Sequence, residues 1–79
     1  MSAWTFVTAV AEGQPLSIEG LDPWEHDWRP VRDAAAQVRD PSYGQAYGFP
    51  VYEIGDPAAP VRFAAGEFSA SIWGFYVPA

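Results

Sequence analysis

The residues best suited to chemistry are concentrated in the stretch Trp24-Glu25-His26-Asp27-Trp28, where the single histidine lies between two carboxylates. Histidine and carboxylates are common metal ligands and common general acids and bases. Consecutive helical residues point about 100° apart, so only Asp22 and His26 would share a helix face. Two ligands are too few for a closed zinc site, and the chain has no cysteine to add another. We therefore expect no metal and no cofactor.

The parts needed for other kinds of catalysis are also missing. A serine nucleophile needs a neighbouring base, and the five serines would have to share one histidine. Gly44 and Gly48 lack the lysine and the spacing of a phosphate-binding loop. Paired carboxylates could hydrolyse glycosides, but a chain of 79 residues rarely encloses a substrate cleft in addition to its core. The sequence therefore predicts a protein that is not an enzyme and has no catalytic residue.

Charge is distributed unevenly along the chain. The net charge is −6, and residues 1–28 hold five of the ten carboxylates but none of the four arginines. This acidity argues against direct binding to nucleic acid or to an anionic membrane, because both are negatively charged. A basic protein surface is the complementary partner, and carboxylates spaced along a surface can imitate a row of phosphates.

We therefore predict a small inhibitor that binds a larger protein and occupies a basic, nucleic-acid-binding surface. Size, charge and missing catalytic groups give the chain the general character of phage-encoded anti-CRISPR proteins, immunity proteins and antitoxins. Tryptophans among the acids could supply an apolar hot spot that charges alone cannot. The predicted partner-binding residues are Glu19, Asp22, Trp24, Glu25, Asp27 and Trp28. The alternative interpretation is that these carboxylates only keep a small domain in solution.

Two other functions remain open at this stage. Tyr43 and Tyr47 fall in a stretch that reads as a loop, so they could form the aromatic platform of a small-molecule or carbohydrate-binding module. Residues 73–76, or an exposed sheet edge, could instead make the chain a self-associating structural subunit. In solution we expect a monomer or a weak homodimer.

Length and composition predict one domain over residues 1–79 with an aromatic core. Four Trp, five Phe and four Tyr supply most of the bulk, since each buries on the order of 150–250 Å² when internal. No disulfide framework, signal-peptide pattern or long apolar run is present, so we expect a cytoplasmic protein that does not enter a membrane.

The elements that would position the acidic residues can be predicted from periodicity. Residues 3–11 alternate bulky and small side chains, as a strand does, and residues 16–18 could add a short second strand. Asp22 followed by Pro23 and Glu25 is a capping pattern that begins a helical turn. Residues 30–39 carry an apolar stripe at helical spacing and end before Pro41, so we expect one amphipathic helix there.

The last third of the chain predicts a three-stranded antiparallel meander. Pairing Ile54 with Val61 sets Glu53 opposite Arg62 and keeps the apolar side chains on the other face. Placing Phe68 opposite Ile72 continues that apolar face into the last strand. With the first strand added, the expected fold is an α+β two-layer domain. It has an antiparallel sheet of about four strands and one short helix packed on one face.

Overall fold

The structure is a computed structural model, and it describes residues 3–79. Within this range the chain forms five strands and one short 3-10 helix. The strands are β1 (Trp4–Ala11), β2 (Arg29–Arg39), β3 (Ala46–Ile54), β4 (Val61–Ser69) and β5 (Ile72–Pro78), and the 3-10 helix is Pro23–Glu25. All five strands belong to one antiparallel sheet with the order β1-β5-β4-β3-β2.

The predicted amphipathic helix over residues 30–39 is wrong, and with it the α+β fold class. These residues form β2, which pairs with β3. Ala36 and Val38 are 0% and 3% exposed, whereas Ala35 and Gln37 beside them are exposed, as expected for side chains that alternate across a strand. The fold is therefore all-β, with a five-stranded sheet in place of about four strands and a packed helix.

A bulge in β2 explains why its sequence resembled a helix. The register with β3 breaks between Pro30 and Ala35, and Asp33 within this interval has a φ of 58°. An insertion of this kind bends a strand and moves the following side chains to the other face. Val31 and Ala34 therefore pack against the same apolar cluster although they are three residues apart. A bulged strand thus reproduced the apolar spacing of a helix.

The registers predicted for the C-terminal meander are confirmed in the first hairpin. Ile54 pairs with Val61, and Glu53 pairs with Arg62. The two charged side chains form an ion pair, with 2.7 Å between Arg62 Nη2 and Glu53 Oε2. β3 begins at Ala46, so Tyr47, which was predicted to lie in a loop, belongs to a strand.

The second hairpin confirms most of its predicted register. Ala65 pairs with Phe75 and Glu67 pairs with Trp73, but Ser69 rather than Phe68 lies opposite Ile72. The shift comes from an irregularity between Glu67 and Ser69, next to a tight turn. The apolar face of the meander is unaffected, because the bulge lies beyond the paired aromatic residues.

The first part of the chain matches its prediction less closely. β1 forms as expected and pairs with β5. The short second strand is reduced to a single bridge between Ile18 and Leu21. The capped turn is present, since the Asp22 side chain accepts a hydrogen bond from the Trp24 amide, but it extends only over the 3-10 helix.

Apolar side chains occupy both faces of the sheet. Ala64 and Ala65 are neighbours in β4, and they belong to different clusters because successive side chains of a strand point to opposite faces. The cluster on one face, here named the Phe75 cluster, consists of the buried residues Ile18, Ile54, Phe63, Ala65 and Phe75. The cluster on the other face, the Phe49 cluster, consists of Ala36, Val38, Phe49, Val51, Ala64 and Tyr76.

Two glycines make room for the rings of Phe49 and of Phe68, which packs against the Phe49 cluster. Gly66 and Gly74 pair with each other across β4 and β5. A Cβ atom on Gly66 would lie 2.4 Å from the Phe49 ring, and one on Gly74 would lie 2.4 Å from the Phe68 ring. Both rings therefore lie directly on the backbone, a position that any larger residue would block.

The sheet coils so that its edge strands β1 and β2 approach each other. One hydrogen bond links the end of β2 to β5, because the Tyr76 hydroxyl donates to the Arg39 carbonyl. Burial raises the pKa of Tyr76, and the nearby Asp40 and Tyr47 raise it further. The Phe49 cluster is thus enclosed by the coiled sheet itself, whereas the connection between β1 and β2 crosses the Phe75 cluster.

Candidate protein-binding surface

The connection between β1 and β2, residues 12–28, carries all six predicted partner-binding residues and is called the acidic segment below. It is held on the sheet by apolar side chains along its length. Ile18 and Pro23 are buried, and Leu16 and Leu21 pack against the Phe75 cluster. Because these anchors are spread along the segment, its exposed side chains project from a fixed backbone.

Trp24 and Trp28 are the largest of these anchors. Their ring centroids are 5.2 Å apart. The Trp28 ring lies 5.1 Å from that of Phe63, and the Trp24 ring lies 5.6 Å from that of Phe75, both in edge-to-face geometry. Both tryptophans are half-buried. Most of each ring therefore packs on the sheet, and the remainder borders the charged surface.

The two indole nitrogens differ in their hydrogen bonding. Trp28 Nε1 donates to the Pro23 carbonyl over 2.7 Å, which closes a loop within the acidic segment. Trp24 Nε1 is buried and has no hydrogen-bond partner among residues 3–79. An unsatisfied buried N–H is unfavourable, so the position of Trp24 must be determined by ring packing.

Asp22 has a structural role at this site. Its Oδ1 accepts a hydrogen bond from the Trp24 amide over 3.0 Å, and the residue is half-buried. The side chain thus caps the 3-10 helix through the Trp24 backbone. Of the predicted carboxylates in the segment, Asp22 is the least accessible to a partner.

Glu19 is exposed at the tip of a tight turn. Ile18 and Leu21 exchange backbone hydrogen bonds of 2.8 and 3.0 Å around it. The two central residues, Glu19 and Gly20, have φ values of 49° and 82°, as in a type I′ turn. A glutamate in this conformation is unusual, because positive φ strains residues other than Gly, Asn and Asp.

Glu25 and Asp27 are exposed on either side of the half-buried His26. Among the described residues the ion pair found is that of Arg62 with Glu53, so no arginine neutralises a carboxylate of the acidic segment. Glu12 also belongs to this surface, and it accepts a hydrogen bond of 3.2 Å from Trp73 Nε1. The structure therefore brings Glu19, Glu25 and Asp27 onto one segment as unpaired, accessible charges.

A cavity of about 430 Å³ lies beside Glu19, and the sequence did not predict it. Five of the eight residues that line it are apolar, and they come from four parts of the chain: Val7, Ile18, Pro60, Val77 and Pro78. Ser17, Glu19 and Arg62 supply the polar groups. No local pattern could have predicted this cavity, because it exists only after β1, β4, β5 and the acidic segment assemble.

The residues predicted for the two other functions lie in different parts of the fold. Tyr43 is 88% exposed at the tip of the β2–β3 loop, whereas Tyr47 lies in β3 and packs against the Phe49 cluster. Residues 73–76 belong to β5, which pairs with β1 on one side and β4 on the other. The edges available for strand addition are therefore those of β1 and β2.

Within residues 3–79, no three His, Asp or Glu side chains lie close enough together to hold a metal ion. The same part of the chain forms no helix long and apolar enough to cross a membrane. Comparison of the chain with protein-family models, with curated proteins and with solved structures gave no significant match.

Proposed function

We propose that this protein is a non-enzymatic inhibitor that binds a larger protein through the acidic segment and covers a basic, nucleic-acid-binding surface of that partner. The observation that carries the proposal is the placement of Glu19, Glu25 and Asp27. All three are exposed, none is paired with an arginine among residues 3–79, and all three project from an anchored segment.

Anchoring matters because binding is favoured when little conformational entropy is lost. Each flexible side chain or loop that becomes ordered at an interface costs binding free energy. The packing of Trp24 and Trp28 on the Phe75 cluster fixes the backbone of the acidic segment before a partner arrives. A basic surface would then meet charges that are already in position.

The electrostatic pattern also favours a protein partner over nucleic acid. Unpaired carboxylates repel phosphates and attract lysine and arginine, and this attraction raises the rate of encounter. The exposed edges of the two tryptophans add apolar area next to the charges, the combination found at interface hot spots. In this arrangement the carboxylates replace the phosphates that the partner would otherwise bind.

Affinity capture from a lysate of the source organism tests the proposal when three baits are compared. The first is the unaltered chain, and the second carries Glu25→Lys with Asp27→Lys. The third is a matched control with Gln37→Lys, Gln45→Lys, Ala59→Lys and Ala70→Lys, which changes the net charge equally but at exposed positions outside the acidic segment. Capture at low and at high salt then measures how far binding depends on charge.

The expected result is a basic nucleic-acid-binding protein that the unaltered chain and the control both retain at low salt. The Glu25→Lys, Asp27→Lys bait should lose this protein, and high salt should release it from all baits. Equal retention by the three baits would contradict the placement of the site. A captured protein without a basic surface would contradict the proposed mode of inhibition.

A second candidate is a ligand-binding module at the β2–β3 loop, favoured by the 88% exposure of Tyr43. This loop is ordered by Asp40, whose side chain accepts hydrogen bonds from the amides of Ser42 and Tyr43. An exposed tyrosine on an ordered loop is a good stacking surface for a sugar. Binding of oligosaccharides measured by isothermal titration calorimetry, and abolished by Tyr43→Ala, would support this candidate over the inhibitor.

A further inference from the structure

The cavity beside Glu19 has the size and lining of a binding site. Its volume of about 430 Å³ lies within the range of roughly 300–1,000 Å³ that is usual for small-ligand pockets. Val7, Ile18 and Val77 line it, and all three also pack in or against the Phe75 cluster. Because its walls belong to the packed sheet, the cavity is part of the fold rather than a gap in a loose surface.

The ionisable side chains around the cavity carry a net negative charge. Arg62 lines it, but Nε and Nη2 of this guanidinium donate to Glu53 Oε2 over 3.1 and 2.7 Å. Glu19 lines it as well, and no ion pair among residues 3–79 involves that carboxylate. Glu53 thus neutralises Arg62, and the Glu19 carboxylate is the charge at the cavity that has no ion-pair partner among residues 3–79.

A cavity lined by both apolar and polar side chains, with the Glu19 carboxylate left unpaired among residues 3–79, suits a ligand that has an aliphatic stem and a cationic end. Lysine and arginine side chains have this construction, because they bury their methylene groups on apolar surface while the charged group stays at a polar rim. The same carboxylate would attract either group through charge-assisted hydrogen bonds. An acidic or uncharged ligand would leave the Glu19 charge unmatched.

We propose that this cavity receives a lysine or arginine side chain of the basic partner. The inference rests on the proposed function, and it adds a specific contact. The aliphatic stem lies against Val7, Ile18 and Val77, and the cationic end pairs with Glu19. The contact is distinct from the charges of Glu25 and Asp27, so the two parts of the surface can be altered separately.

Titration with small probes, followed by methyl and amide NMR, tests the cavity directly. The probe is N-acetyl-lysine N-methylamide. N-acetyl-norleucine N-methylamide serves as the control without charge, and N-acetyl-glutamate N-methylamide as the control of opposite charge. Each probe is titrated into the unaltered chain, into Glu19→Gln and into Ser17→Phe, which adds bulk at the exposed Ser17 on the cavity wall without changing charge.

The lysine probe should shift the methyl resonances of Val7, Ile18 and Val77 in the unaltered chain. Glu19→Gln should weaken its binding by about two- to fivefold, as expected for a single exposed ion pair, and Ser17→Phe should abolish the shifts. The norleucine probe should bind more weakly than the lysine probe, and the glutamate probe should not shift these methyls. Unaltered circular dichroism spectra would establish that both variants are folded.

Two results would overturn the cavity proposal. One is the absence of shifts at these methyls up to the solubility limit of the lysine probe. The other is capture of the partner by Ser17→Phe at the level of the unaltered chain. If Glu25→Lys with Asp27→Lys still abolishes capture in that case, the proposed function stands and only the cavity contact is wrong. If neither set of substitutions affects capture, both proposals fail.

Discussion

The Trp28 indole nitrogen donates a hydrogen bond of 2.7 Å to the Pro23 carbonyl, which fixes the end of the acidic segment to its own buried proline. Pro23 also accepts a backbone hydrogen bond from the His26 amide. The turn that separates Glu25 and Asp27 from the sheet is therefore closed both by the backbone and by a side chain. This relationship connects core packing to the position of the proposed binding charges.

Replacing Trp28 by phenylalanine should therefore destabilise the domain and also weaken partner binding. Lost ring contacts with Phe63 and Phe75, together with the lost hydrogen bond, should lower the free energy of unfolding by about 1–3 kcal/mol. Urea denaturation followed by circular dichroism measures this change. A midpoint equal to that of the unaltered chain would show that Trp28 does not anchor the segment.

Glu19→Asn should have the opposite effect on stability. Asparagine accepts the positive φ of this turn more readily than glutamate does, so the substitution should raise the free energy of unfolding by about 0.5–1 kcal/mol. The same substitution should weaken binding at the cavity, because the carboxylate is removed. The matched control is Glu25→Asn, since no positive φ is found at residue 25 and no comparable strain is relieved there. A Glu19→Asn chain no more stable than this control would argue against strain at the turn.

The close approach of Phe49 to Gly66 predicts a strong penalty for a single added methyl group. Gly66→Ala would place a Cβ atom 2.4 Å from the Phe49 ring and should lower the free energy of unfolding by about 1–3 kcal/mol. Gly48→Ala is the matched control in a neighbouring strand. There the added Cβ would meet only Gln37 Nε2, at 3.5 Å. Thermal melts of both variants should differ clearly, and equal melting temperatures would contradict this packing.

Stability should also fall at high pH through Tyr76. The pKa of this hydroxyl is raised in the folded protein from its ordinary value of 10.0, first by burial and then by Asp40 and Tyr47. The folded state therefore holds the proton more tightly than the unfolded state does. The resulting stabilisation is present below about pH 10 and is lost as the pH rises through the higher folded value.

Urea denaturation across this pH range, with Tyr76→Phe as the comparison, isolates that contribution. The phenylalanine variant should be less stable near neutral pH, because the hydrogen bond to the Arg39 carbonyl is lost. Its stability should decline less steeply above pH 10 than that of the unaltered chain. Parallel declines would assign the high-pH effect to other groups.

The hairpin registers of the meander could be predicted from sequence because their alternation is regular. One register places Glu53 opposite Arg62 and keeps the apolar residues together, and a slip by one residue would divide them. β2 could not be predicted in the same way. Its bulge around Asp33 interrupts the alternation, so the apolar residues on either side of the bulge recur at the spacing of a helix.

The candidate site could be predicted only in part. Local composition indicated the acidic segment, since five carboxylates without an arginine are visible in residues 1–28. How much of the Trp24 and Trp28 rings is buried depends on aromatic residues far along the chain, such as Phe63 and Phe75. The same is true of the cavity at Glu19, whose lining residues are separated by as many as 71 positions, from Val7 to Pro78.

Isothermal titration calorimetry at low salt, which measures the affinity of the captured partner for two chains of altered charge, tests whether the acidic segment binds that partner. One chain carries Glu25→Lys with Asp27→Lys, and the other carries the four control substitutions Gln37→Lys, Gln45→Lys, Ala59→Lys and Ala70→Lys. We expect a loss of about tenfold or more in affinity, roughly 1.4 kcal/mol, for the first chain and little change for the second. Equal affinities of the two chains would contradict the claim that the acidic segment binds the partner.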